Sequence, residues 1–158
     1  MKADNLPIAT LGLFSKDLVP AEVDRIVGVH AERSAKVGEP LFPNAEKGRQ
    51  VTAKKGTWFI STDRLVGRWG PIELLQAVID LVETHIAELR RRFPDLKVSL
   101  SLLVHDPNFS PDDLPQSLIR RAGAIGELEI ETPANPDGYY FPGPPESERE
   151  TPRPAFAH

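Results

Sequence analysis

The chain has 158 residues, with 23 Asp plus Glu against 19 Lys plus Arg and no cysteine. Leu, Val, Ile and Phe supply 44 of the residues, well above the roughly 20% below which a chain lacks the apolar surface to stay folded, so the composition is that of one globular domain with a short appendage. Absent cysteine excludes disulfides, thiolate nucleophiles, iron–sulfur clusters and Cys-based zinc sites and fits a reducing cytosol, while a net charge of −4 argues against DNA or anionic-membrane binding.

No run reaches the roughly 18 apolar residues of a membrane span. Residues 5–15 lack the flanks of a secretory signal, since only Lys2 precedes them and Lys16-Asp17 follow. The mature protein is therefore expected to begin near Met1 and to be cytoplasmic. Ile8 to Phe14 is a short apolar run with side chains for both faces, which suits a central strand. Pro20 at a first helical position, Glu22 in the first turn and Gly28 just past the end punctuate a short helix, with Val23, Ile26 and Val27 on one face. From Val29 to Lys55, Gly38, Pro40, Pro43, Asn44 and Gly48 interrupt any period and predict an irregular, exposed excursion. Gly56 to Thr62 is rich in β-branched and aromatic residues and reads as a second strand.

A long helix is predicted from Pro71 to Arg92. Leu75, Val78, Val82, Ile86, Leu89 and Phe93 recur at three- and four-residue gaps, Arg90, Arg91 and Arg92 complement the dipole at its end, and Pro94 stops it. Val98, Leu100, Leu102 and Val104 then alternate with Ser99 and Ser101, the pattern of a sheet with one wetter face. Ser110 and Pro111 open another helix through Leu114, Leu118, Ile119 and Ala122; Pro115 must kink or delay its first turn, and Arg120, Arg121 and Gly123 close it. Glu127 to Glu131 alternates acid with apolar residues, suggesting an edge strand whose acids discourage pairing with other molecules. The order β-α-loop-β-α-β-α-β predicts an α+β two-layer sandwich: a four- or five-stranded, largely antiparallel or mixed sheet with helices packed on one face.

Residues 132–158 hold seven of the 16 prolines and no Leu, Ile, Val or Met, too little apolar surface to outweigh their ordering entropy. The chain thus divides into a single α+β domain over 1–131 and a Pro-rich, disordered tail over 132–158. Within that tail, Gly138-Tyr139-Tyr140-Phe141 leaves two readings open, docking on the domain or disorder.

The strand Ala9-Thr10-Leu11-Gly12-Leu13, the helix from Val19-Pro20 to Gly28-Val29, the segment Arg33 to Glu39 and Gly56-Thr57-Trp58-Phe59-Ile60-Ser61, followed by the same order of later elements, resemble a bacterial family catalogued as domain-of-unknown-function family 4279. The similarity covers most of residues 8–131 and departs at Ala31, where the family often has Pro. It implies the α+β fold and a cytosolic bacterial setting, and it carries no activity.

Chemistry is sparse. There is no G-x-S-x-G and no S-x-x-K with a believable base. Gly67-Arg68-Trp69-Gly70 precedes a helix as an anion site would, but lacks the Walker Lys-Ser/Thr and the G-x-G-x-x-G spacing, so it reads as a turn capped by Gly70-Pro71. His30, His85, His105 and His158 form no i,i+4 pair, and no metal or cofactor is expected. His105-Asp106 is the best acid/base candidate, although neighbours in a strand point to opposite faces and His-Asp-Pro-Asn is a common exit turn from a sheet, the preferred reading.

Between Arg33 and Arg68 eight basic residues meet only three acids. Arg33, Lys36, Lys54, Lys55, Arg64 and Arg68, with Trp69 as an exposed aromatic contact, form the candidate binding set, suited to an acidic protein surface, a phosphorylated ligand or a nucleic-acid backbone. A solvated loop is the plainer alternative. Trp58, in an alternating strand, reads as core. The leading expectation is a non-enzymatic protein-interaction module, immunity-like or regulatory. The second is a small-molecule binder or enzyme using His105 and Asp106 near the basic loop. The third is a homodimer joined through the Ser99/Ser101 face.

Overall fold

Side-chain alternation along the strands decides which residues meet the helices. The computed structural model describes residues 7–39, 52–62, 70–133 and 135–144. Its elements are β1 (Ile8–Ser15), α1 (Pro20–Val27), β2 (Arg33–Ala35), β3 (Gly56–Ser61), α2 (Pro71–Glu83), α3 (Ile86–Arg92), β4 (Lys97–Leu103), α4 (Gln116–Ile125), β5 (Glu127–Thr132) and β6 (Asn135–Phe141). The six strands form one sheet in the order β2-β3-β1-β4-β5-β6. All neighbours are antiparallel except β4 and β5, which α4 connects as a parallel crossover. The fold is the expected α+β sandwich with a mixed sheet, carrying six strands instead of four or five.

Register aligns the apolar side chains into layers on one face. Leu13 pairs with Trp58 and Val98, Leu11 with Leu100 and through it Leu128, and Ala9 with Leu102 and through it Ile130. All nine are buried, none more than 3% exposed. Against them pack Val23, Ile26 and Val27 of α1, Leu74, Leu75, Val78, Ile79 and Val82 of α2, Leu89 of α3, and Leu118, Ala122 and Ile125 of α4. Each fully buried Leu or Ile contributes about 1.5–3 kcal/mol. The helices are also tied to one another at their edges. Arg92 pairs with Glu22 at 2.6 Å, joining α3 to α1, and Arg121 of α4 reaches Asp80 and Glu83 of α2. Arg90 of α3 donates to the carbonyls of Ala124 and Ile125 at 3.2 and 2.7 Å, satisfying acceptors left open at the end of α4.

Several expectations are revised. The helix predicted from Pro71 to Arg92 is two helices. At Thr84 and His85 the chain makes a tight turn, in which His85 N–H donates to the Val82 carbonyl three residues back at 2.9 Å and His85 adopts φ −106°, ψ −3°. An apolar stripe survives so short a break, because Leu89 and Phe93 still reach the core, so periodicity cannot reveal it. Ser110 and Asp113 do form a capping box, but it closes only the 3-10 turn Pro111–Asp113. Pro115 delays α4 to Gln116, and α4 then passes through Gly123 to Ile125.

β5 is not an edge strand. β6 pairs with it through Leu128↔Phe141, Glu129↔Tyr140 and Ile130↔Tyr139. The aromatic segment for which docking and disorder both stood open is therefore part of the sheet, with Tyr139 and Phe141 packed against the core and Tyr140 62% exposed. Among the described residues, no helix is long and apolar enough to cross a membrane.

Candidate functional site

On the sheet face opposite the core, register sets side chains in rows across the strands. One row runs Arg33, Phe59, Gly12, Ser99, Glu127 over β2, β3, β1, β4 and β5. The next runs Ser61, Thr10, Ser101, Glu129, Tyr140. Gly12 leaves the centre of this face low, and the Phe14 ring fills it: a Cβ on Gly12 would meet Phe14 Cε2 at 3.0 Å. The Arg33 guanidinium stands over the Phe59 ring, 6.0 Å from its centroid. The Thr10 and Ser101 hydroxyls hydrogen-bond to each other.

At the far margin Tyr140 donates its phenolic hydrogen to Glu127 Oε2 at 2.8 Å, and Lys97 Nζ lies 3.6 Å from Glu127 Oε1. These side chains, with Gly126, Pro142, Gly143 and Pro144, line an open cleft of about 290 Å³. The hydrogen bond to Glu127, with its negative charge nearby, holds the Tyr140 hydroxyl above the usual phenol range.

The basic residues separate into two places. Gly38 N–H donates to the Ala53 carbonyl at 2.9 Å and Ala53 N–H to the Glu39 carbonyl at 2.8 Å, which closes the base of the long excursion. This clamp sets the turn that begins at Lys36 beside Lys54 and Lys55. Ala35 pairs with Thr57, so Lys36 continues β2 alongside Gly56, the residue that Lys55 precedes. All three lysines are exposed. Val37, which follows Lys36 in the same turn, is 52% exposed. Glu39 accepts the Lys36 backbone N–H at 2.6 Å. Among the described residues, no ion pair engages these lysines. Arg33 stands apart, on the sheet face over Phe59. Arg64, Arg68 and Trp69 lie outside the described residues.

His105 and Asp106 follow β4 at the end of the sheet where Ile8 pairs with Leu103, whereas Lys54 and Lys55 precede the pair Ser15 and Gly56 at the other end. The length of β1 separates the two ends, about 23 Å at 3.3 Å per residue. Asp106 Oδ1 accepts the Asn108 N–H at 2.9 Å and its carbonyl accepts the Phe109 N–H at 3.1 Å, the bonding of an exit turn. The structure does not bring His105 and the lysine corner together.

One cluster has no signature in the sequence. Asp24 accepts hydrogen bonds from Trp58 Nε1 at 2.8 Å and Ala31 N–H at 3.1 Å, and its other oxygen lies 3.0 Å from His30 Nδ1. Its partners sit 34, 7 and 6 residues away, at no motif spacing. The chemistry of this cluster is structural, joining α1 to β3.

A mixed six-stranded sheet with one helix-covered face and, opposite it, a polar and aromatic face defines an α+β sandwich. The model of the family described as Domain of unknown function (DUF4279) matches residues 5–134, and the chain belongs to that family. No curated protein and no solved structure matches the chain.

Proposed function

We propose that the protein is a non-enzymatic interaction module that captures an acidic protein segment at the corner formed by Lys36, Val37, Lys54 and Lys55. The observation that carries this reading is the clamp between Gly38, Glu39 and Ala53, which joins the segment bearing exposed Lys36 and Val37 to the segment bearing exposed Lys54 and Lys55. Exposed lysines alone are ordinary solvated charges. An exposed apolar side chain on the same turn offers a partner burial as well as charge, which supplies affinity in addition to steering. A protein partner is favoured over nucleic acid because the chain as a whole carries −4.

The test is a fluorescence-polarisation titration of the full chain with a labelled peptide of alternating Glu and Leu. Binding is expected to weaken steeply with salt. It should fall about tenfold or more in Lys36→Glu/Lys54→Glu/Lys55→Glu, three exposed pairs at up to ~1 kcal/mol each, and also in Val37→Asp. Equal binding by the triple variant, or tighter binding of a single-stranded nucleic-acid probe, overturns the reading.

A further inference from the structure

We infer that the polar face of the sheet is the interface of a homodimer, two copies packing face to face about a two-fold axis that runs along β1. β1 is the central strand of the five from β2 to β5, and the row through Gly12 is balanced about it. Arg33 lies two strands to one side and Glu127 two strands to the other. A two-fold parallel to β1 reverses the strand order of the second copy while keeping each row level. Arg33 of each copy then meets Glu127 of the other, so the symmetric operation that makes an isologous dimer also forms two opposite-charge contacts. Along the axis itself the Phe14 rings, lying over Gly12, meet each other. In the neighbouring row Thr10 faces Thr10 across the axis, so hydroxyl meets hydroxyl. Charge is the reason the occupant is a second copy: the surface is complementary to itself under one rotation.

The geometry tolerates real sheets. Packed sheets stand about 10 Å apart and cross at about 30°. Two strands from the axis is about 10 Å, so such a crossing displaces Arg33 by ~5 Å from its row, within the reach of its side chain. Five strands at ~4.8 Å and seven residues at ~3.3 Å give a flat footprint near 550 Å² per copy. That is at the low end for specific interfaces, so the dimer is reversible and concentration-dependent.

Sedimentation velocity on the full chain, up to several hundred micromolar, tests the inference. The wild type should pass from monomer to dimer with concentration. Arg33→Glu and Glu127→Arg each place like charges against each other at both contacts, and each should weaken dimerisation about tenfold or more. An equimolar mixture of these two variants should form a heterodimer. One of its contacts then sets the introduced carboxylate of the first variant against the introduced guanidinium of the second, and the other keeps the original Arg33 against the original Glu127. Circular dichroism identifies any variant that fails to fold. Hydrogen exchange on the unmodified protein, with protection at 12–14 and 99–101 rising with concentration, gives a second measurement independent of substitution. A wild type that stays monomeric, single variants that dimerise as the wild type does, or a mixture that remains monomeric overturns the inference. Because none of these variants touches Lys36, Lys54 or Lys55, the outcome is separable from that of the peptide titration.

Discussion

The indole Nε1 of Trp58 on β3 donates a 2.8 Å hydrogen bond to the carboxylate of Asp24 on α1. Trp58 is fully buried, so its N–H must find an acceptor inside the protein. Asp24 supplies it from the last turn but one of the helix. Gly28, at φ 89°, ends that helix in the left-handed conformation that glycine adopts without strain, and the reversal brings the Ala31 N–H back to the same carboxylate oxygen.

This contact makes stability fall in acid. Burial acts to raise the Asp24 carboxyl, and the bonds from Trp58, His30 and Ala31 outweigh it, leaving it below the usual carboxylate range. Asp95 follows the same balance: burial raises it, and the Lys16 N–H and Ser15 hydroxyl prevail. Glu83 is lowered first of all by its hydrogen bond with Arg121. A carboxyl lowered by folding contributes stability that is complete above its unfolded pKa, near 4, and is lost as pH falls through the folded value. The melting temperature should hold steady from about pH 7 to 5 and drop below it. Asp24→Asn is expected to cost about 1–2 kcal/mol at neutral pH and to flatten the acid limb. Thermal melts of the two proteins across pH check this, and parallel acid limbs would refute it.

Gly126 is required by space, since its φ of −173° is extended backbone open to any residue. A Cβ there would lie 2.3 Å from the Val98 carbonyl oxygen and 2.7 Å from the Val98 Cβ. Gly126→Ala must push the start of β5 away from β4, at a cost of about 2–3 kcal/mol or more. Chemical denaturation measures it. Gly123→Ala is the control, because a Cβ there meets nothing within 4 Å and glycine is a poor helix former; it should stabilise.

Tyr140 should ionise late. The chain has two tyrosines, so in a Tyr139→Phe background the phenolate absorbance reports Tyr140 alone. Its midpoint is expected above the ordinary value near 10 and should fall when Glu127→Gln removes the charge that disfavours the phenolate. The sign is opposite to that of the carboxylates: the Tyr140–Glu127 bond is intact below pH 10 and breaks as pH rises through the folded pKa. An unchanged midpoint in Glu127→Gln would refute the assignment.

Ending the chain after Glu131 removes β6 and leaves β5 as the sheet edge. The loss of Tyr139 and Phe141 from the core is expected to cost several kcal/mol, and the bared edge should promote aggregation. Denaturation and light scattering of the shortened chain test this. Stability and solubility equal to the full chain would show that β6 is dispensable.

The strands with clean patterns were legible. Val98, Leu100 and Leu102 are buried and Ser99 and Ser101 lie on the wetter face, because alternation is forced by the extended backbone. The pattern of Glu127, Leu128, Glu129 and Ile130 was equally clear, yet its reading as an edge failed, since the acids point away from the core face and say nothing about what pairs alongside. β2 has three residues, too few for any period, and is a strand only because β3 offers it partners. β6 contains Pro136 and Gly138, which discourage a strand when read alone. Of the candidate site, the basic excess was legible as composition. The gathering of Lys36, Lys54 and Lys55 was not, because it depends on the hydrogen bonds of Ala53.

The sequence by itself determined the inside–outside alternation of the longer strands, both ends of α1, the start of α2, the end of α3, and the family. These follow from backbone periods of 2 and 3.6 residues and from local punctuation by Pro and Gly, all acting within a few residues. Only the tertiary structure decided that Arg33 and Glu127 stand level on either side of Gly12, and that β6 and not β5 closes the sheet. Strand order and register are choices among hydrogen-bonding partners far apart in the chain, and each choice depends on every other strand in the sheet.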